Sequence, residues 1–405
     1  MKDSFTWIEG GGAASAKGWL ASGVEAGLKA GRTDMAMLLS DRPAASAAVF
    51  TSNRMPAAPV LYDRELARGG HCRGVVVNVG CANAATGKAG LADCKAVGEA
   101  AAAAAGVPAR QMFVCSTGVI GRRLPMDRVL AGAKSAAAAL KPGAGAEAAR
   151  AILTTDTKPK EAAVRLKIGR AEITVGGMCK GAGMICPNLA TTLIFITTDA
   201  AVAPAALKAA LKQAVAKSFN RVTVDGDQST NDTCILFANG AAGGPVLGPS
   251  APGWKKFVAA VSAVALSLAK QIVMDGEGAS KFVTVAVEGA ATPADAYLAA
   301  KTVANSPLVK TACAGGDPNW GRVICAVGNS GAKCAENKTK IWFDDECVFD
   351  RGKIATTEGN ARLAEIMRRR SFEIRVSLGM GSASDAVYTS DLTHGYVTIN
   401  ADYTT

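Results

Sequence analysis

The groups that could do covalent chemistry concentrate between Gly176 and Asp199, in GGMCKGAGMICPNLATTLIFITTD. A glycine-rich turn carries Lys180, a Pro-Asn turn follows, and Ala190-Thr191-Thr192 opens an apolar strand. A threonine hydroxyl attacks only with a base beside it. The chain has two histidines, His71 in Gly-Gly-His-Cys-Arg and His394 in LTHGY, and both sit beside glycine in turns that suit surface positions. Cutting the Ala190–Thr191 bond supplies another base. Thr191 would then own a free α-amine, ordinarily of pKa about 8, a few bonds from its own hydroxyl. That hydroxyl can make the cut itself. It attacks the Ala190 carbonyl, the acyl group shifts from nitrogen to oxygen, and water releases it, helped by backbone strain and oxyanion stabilisation. The segment also reads as a polar loop running into a buried strand, with threonine chosen for β propensity.

An oxyanion partner is offered by Cys115-Ser116-Thr117-Gly118-Val119-Ile120-Gly121, where an apolar strand ends in a small polar turn. Backbone amides and the Thr117 hydroxyl can point into a site there. Three more stretches carry dense polarity: Thr154–Thr157, Asn220 through Asp232, and Asp317–Arg322. Turns use such residues too, but their density favours polar substrate recognition. Gly10-Gly11-Gly12 matches no phosphate-binding fingerprint and reads as a flexible turn.

These groups need a scaffold, and the chain supplies alternating strand-like and helix-like segments. Strand-like runs are Val75–Val79, Met112–Cys115, Leu193–Thr197, Cys234–Phe237, Phe282–Val287, Arg322–Val327 and Phe372–Leu378. Helix-like runs are Leu91–Ala105, Val129–Leu140, Pro204–Lys217, Trp254–Met274 and Pro293–Ala304, most bounded by Gly or Pro. No internal repeat and no long Pro/Ser linker divides them. Residues 241–253 are the best loop and a candidate subdomain edge.

Composition excludes several classes. The net charge is +11, but Lys and Arg are scattered, and Arg368-Arg369-Arg370 suits a helix C-terminus, so nucleic acid is not an expected partner. The 11 cysteines form no CxxC pair; several lie in apolar runs (Cys115, Cys234, Cys325) and read as small buried hydrophobes. With two histidines, no metal site is expected. The stretch Phe257–Ala269 is too short to span a bilayer, and MKDSFTWIEGGG has no signal-peptide core, so a soluble cytoplasmic protein off the membrane is expected.

Taken together, CSTGVIGR, TTDTKPK, KGAGMICPNLATTL, SFNRVTVDGDQSTNDT, DGEGASK, DPNWGR and the final INADYTT resemble the ornithine acetyltransferase family of arginine biosynthesis, also called glutamate N-acetyltransferases. DRPAASAAVFTSNRMPAAPV and VVVNVGCANAATG extend the likeness toward the start, so it covers essentially the whole chain. The commonest family wording at the cut is KGSGMIAPNMATML; this chain differs at Ala182, Cys186, Leu189 and Thr192 but keeps the Ala-Thr pair.

The resemblance implies an α/β fold, a layered α/β/β/α sandwich like that of self-processing N-terminal-nucleophile enzymes. It implies a precursor cut into an α chain, residues 1–190, and a β chain, residues 191–405, assembled as a heterotetramer of two of each. It makes Thr191 the nucleophile, Thr117 and Gly118 the oxyanion hole, and Thr154, Lys180, Thr191, Glu277, Asn400 and Thr405 the substrate-holding positions. Acetyl would pass from N-acetylornithine to Thr191 and then to glutamate, by ping-pong kinetics and with no cofactor. Lys180 suits a substrate carboxylate; Glu277 could hold ornithine's ammonium or orient the nucleophile's amine. Asn400 and Thr405 require the C-terminal tail to fold back into the site. Acetyl-CoA as a second donor stays open. Rival readings are an N-terminal-nucleophile amidohydrolase or aminopeptidase, and a non-catalytic binding protein of the same fold.

Overall fold

The computed structural model describes residues 5–186, 192–356 and 359–402; Ala190, Thr191 and Thr405 lie outside these. Two sheets form the centre. A six-stranded sheet runs in the order Thr6–Trp7, Lys160–Ile168, Ala171–Lys180, Leu193–Thr198, Thr233–Ala238, Ala45–Phe50. Every residue of Leu193–Thr198 and of its parallel neighbour Thr233–Ala238 is buried. Strands covered on both faces read as continuous apolar runs, which is why these two were legible in the sequence.

A four-stranded sheet, Trp19–Val24, Met35–Ser40, Gly74–Cys81, Met112–Val119, lies against the first. One core cluster joins the two through Leu193, Phe195, Ile235 and Phe237 on one side and Leu38, Val77, Phe113 and Cys115 on the other. Helices Pro204–Ala216 and Trp254–Met274 cover the outer face of the larger sheet. Helices Gly87–Ala104 and Met126–Ala138 cover the outer face of the smaller one. The expected α/β/β/α sandwich is therefore present.

The 21-residue helix Trp254–Met274 is long and apolar enough to cross a membrane, contrary to the expectation drawn from Phe257–Ala269. Its Phe257, Val261, Val264, Leu268 and Ile272 are fully buried against the sheet, so it is a core helix here.

A second layered unit follows, which sequence patterning had not separated. Its seven-stranded sheet is built on the central strands Phe282–Ala290, Ser371–Ser377 and Ala383–Ser390. Helices Pro293–Asn305, Pro307–Gly315, Trp320–Gly328 and Ala361–Arg368 pack on it around their own core. The edge falls near Asp275–Phe282, not at residues 241–253, which form a loop within the sandwich half. Arg322–Val327, expected as a strand, lies inside the helix Trp320–Gly328. Asn319 caps it by accepting the Arg322 amide at 3.0 Å, so the polar DPNWGR run is a helix start. The helix carries Cys325 to the surface, while eight other cysteines are buried as expected. The Gly10–Gly12 turn is also packed rather than loose: Gly11 and Gly12 are buried, and a Cβ on Gly12 would lie 1.8 Å from Glu161.

Candidate active site

One cavity of about 130 Å³ gathers most of the sequence-derived site residues. Thr117, Gly118, Thr154, Lys180, Glu277 and Asn400 all line it, together with Thr192 and Leu193. Six separate segments thus converge, and one of them is where the described chain resumes with Thr192, one residue beyond the expected nucleophile. His71 and His394 are exposed and line none of it.

Thr117 and Gly118 end the strand Met112–Val119, which pairs in parallel with Gly74–Cys81. Gly118 has φ +128°, and a Cβ there would sit 2.4 Å from the Gly80 carbonyl carbon. Only glycine lets the two strand ends close in this way. Asn231, buried, donates to the carbonyls of Ala82 at 2.6 Å and Ser116 at 2.8 Å. It locks the Thr117 turn of the small sheet to the larger one. Lys180 Nζ donates to Thr117 Oγ1 at 3.2 Å, which leaves the threonine's own hydrogen for an acceptor in the cavity.

Lys180 ends its strand in a buried position. Burial, with the Lys160 charge added, lowers its ammonium below the ordinary lysine value against the pull of Asp156. Asp156 accepts the Gly181 amide at 2.7 Å and the Thr154 amide at 3.1 Å. Burial alone would raise its carboxyl, but the charges of Lys180 and Lys160 outweigh it and hold the group at about 2. Lys160 bridges Asp156 at 2.6 Å and Asp275 at 2.5 Å with its side chain fully buried.

The loop after Lys180 is clamped along its length. Gly181 has φ +154°, where a Cβ would meet Thr192 Cγ2 at 2.5 Å. The Glu277 amide donates to Ala182 O at 2.9 Å, and the amides of Met184 and Ile185 donate to Asp225 at 2.6 and 2.8 Å. Met184 is held at φ +57°, a left-handed conformation unusual for its type. The backbone over residues 181–185 is therefore fixed by carboxylates from two other segments.

At the mouth, Asn400 on the C-terminal helix His394–Asp402 donates to Glu277 Oε2 at 2.8 Å. A Cβ on Gly278 would lie 2.3 Å from the Tyr396 amide, so that helix rests on bare backbone. The tail does fold back as far as Asn400. Of the other polar stretches, Thr154–Thr155 and Ser229–Asp232 line the cavity, whereas Arg221 pairs with Asp385 at 2.8 Å away from it. Sequence reasoning gave no individual role to Lys160 or Thr192, and held Asn231 only within a stretch read as polar substrate recognition. The signal for Lys160 was its place at the end of TTDTKPK.

A four-layer sandwich whose strand ends enclose amide donors, hydroxyls and a buried lysine is the scaffold of an acyl-transferring enzyme. The family model described as ArgJ family matches residues 20–405. The arginine biosynthesis bifunctional protein ArgJ of Geobacter sulfurreducens is 49% identical over 390 residues, 96% of this chain and 99% of its own. That of Symbiobacterium thermophilum is 47% identical, covering 98% of this chain and 100% of its own. The crystal structure of the Bacillus halodurans protein of that name aligns at a TM-score of 0.50 with 37% identity, over 52% of this chain and 98% of the solved one. The chain belongs to the ArgJ family, the ornithine acetyltransferases of arginine biosynthesis, and is an acetyltransferase.

Proposed function

We propose that the chain cuts itself between Ala190 and Thr191 and that Thr191 then carries acetyl from N-acetylornithine to glutamate. The observation that carries this reading is the single cavity lined by Thr117, Gly118, Thr154, Lys180, Glu277 and Asn400 beside Thr192. The Thr191 hydroxyl attacks the acetyl carbon, its own α-amine taking the proton. The Thr117 hydroxyl and the Gly118 amide receive the developing oxyanion; one such donor contributes about 3 kcal/mol. Ornithine leaves, an acetyl-Thr191 ester remains, and glutamate's amine takes the acetyl group. Lys180 binds the α-carboxylate shared by both amino acids, and Thr154, Glu277, Asn400 and Thr405 hold the rest of the substrate.

Self-cleavage would give α and β chains of residues 1–190 and 191–405, held in a heterotetramer. The solved B. halodurans chain aligns over 98% of itself but 52% of this chain, which suits one product of such a cut. The relatives' designation as bifunctional supports acetyl-CoA as a second acetyl donor. The chemistry calls for no metal or other cofactor.

The test is N-terminal sequencing of purified protein joined to initial-rate kinetics. A second chain beginning Thr-Thr-Leu-Ile-Phe, and parallel double-reciprocal lines for N-acetylornithine against glutamate, are expected. An uncut active protein, release of acetate without transfer, or intersecting lines refutes the reading.

A further inference from the structure

Two polar atoms of the cavity lining lack a hydrogen-bond partner among the described residues: Asp232 Oδ2 and the Thr192 hydroxyl. Both side chains are almost fully buried, 2% and 5% exposed, and both residues line the cavity. They are neighbours by register. Leu193 pairs in parallel with Thr233, and the Thr233 amide donates to Thr192 O at 3.0 Å, which sets Asp232 beside Thr192 on adjacent strands. Thr192 directly follows Thr191 in the chain. Ser229 hydrogen-bonds to the Asp232 carboxyl, and the Asp232 carbonyl accepts the Thr51 amide at 2.9 Å, so the residue is held in place. A buried polar atom left unpaired is destabilising, so two of them on adjacent strands in a cavity lining mark where a ligand's donor goes.

The polarity of the cavity identifies that donor. In this lining Thr117, the Gly118 amide and Lys180 present hydrogens to oxygens. Asp232 Oδ2 and Thr192 Oγ1 add oxygen lone pairs that no described group uses. Of the groups around a transferring acetyl carbon, the carbonyl oxygen needs donors and the amide or amine nitrogen needs acceptors. We infer that Asp232 and Thr192 form the nitrogen subsite, accepting the N–H of the amine that leaves from or attacks the acetyl carbon. They act as positioning residues, fixing the nitrogen's lone pair relative to the carbonyl while Thr117 and Gly118 fix the oxygen. The subsite speeds transfer from amide donors and to amine acceptors, and contributes nothing to release from a donor that lacks an N–H. This rests on the acyl-transfer reading above.

The test compares two acetyl donors, one with the N–H and one without: N-acetylornithine and p-nitrophenyl acetate. Acetyl-enzyme formation is followed by ornithine or p-nitrophenolate release in a single turnover. Asp232→Asn should lower the amide-to-ester rate ratio ~10-fold and Thr192→Val ~3-fold, the range of one buried hydrogen bond lost or weakened. A ratio within ~2-fold of wild type in cut protein overturns the inference, because a merely structural role lowers both rates together. Should Asp232→Asn stay uncut on a denaturing gel, the Thr192→Val ratio decides. Wild-type protein that forms acetyl-enzyme from the ester but not from N-acetylornithine refutes the proposed function instead, so the two failures are separable.

Discussion

Replacing Lys160 with methionine should damage stability and site together. The Lys160 side chain is fully buried, with Nζ 2.6 Å from Asp156 and 2.5 Å from Asp275. Asp156 holds the amides of Gly181 and Thr154; Asp275 holds the Thr157 amide at 3.1 Å and opens the turn that carries Glu277. One ammonium thus joins three segments of the cavity wall. Methionine keeps the apolar stem but leaves two buried carboxylates without their shared cation, a change that costs about 3–5 kcal/mol. With an unfolding entropy of about 2.1 cal/mol/K per residue, a chain of this length should melt about 5 °C lower.

The pH dependence gives the sharper reading. Asp156 is held at about 2 against an ordinary 3.8. A carboxyl lowered in this way contributes stability above its ordinary value and loses it as pH falls toward the folded one; here that is about 2 kcal/mol. Without Lys160 the Asp156 carboxyl takes up a proton at higher pH, and the cost of burying its charge disappears. The melting deficit of Lys160→Met should therefore be largest near neutral pH and shrink below about pH 4. Differential scanning calorimetry of wild type and variant across that range checks it. A variant melting within about 1 °C of wild type at pH 7, or a deficit that grows on acidification, would refute the argument that this cation neutralises the buried pair.

Two further outcomes follow from the site. Gly183→Ala would place a Cβ 2.3 Å from Glu277 Oε2, and Glu277 is also tied to Asn400, so the carboxylate must move. KM for N-acetylornithine should rise roughly tenfold with a stability loss of about 1–3 kcal/mol, and an unchanged KM in steady-state assays would show that Glu277 holds no substrate. Lys180 has a lowered pKa, so on raising the pH it gives up its proton below 10.5 and loses its grip on a carboxylate above that point. The kcat/KM profile should bend down on an alkaline limb short of the ordinary lysine value; Lys180→Met should lower the plateau about 100-fold and abolish the limb, whereas a limb that persists belongs to another group.

Local pattern determined much of this protein without help from tertiary structure. Strands such as Leu193–Thr198 and Thr233–Ala238 are apolar throughout because both faces are covered, and helices such as Pro204–Ala216 start at a proline that suits a first turn. Thr117, Gly118, Thr154, Lys180, Glu277 and Asn400 were also legible, through the motif likeness rather than through composition. What only the tertiary structure decided is how these residues meet. Arg322–Val327 carries the apolar run of a strand, yet the Asn319 cap and its place on the second sheet make it a helix, which turns Cys325 outward. Lys160 lies between Lys158-Pro159 and Glu161 at the start of its strand, a pattern that suits a solvated charge, and nothing in it announces burial against carboxylates 4 and 115 residues away. The unpaired oxygens of Asp232 and Thr192 are equally invisible in sequence. Whether a buried polar atom has a partner depends on which strands lie side by side, and strand order is set by packing across the whole sheet.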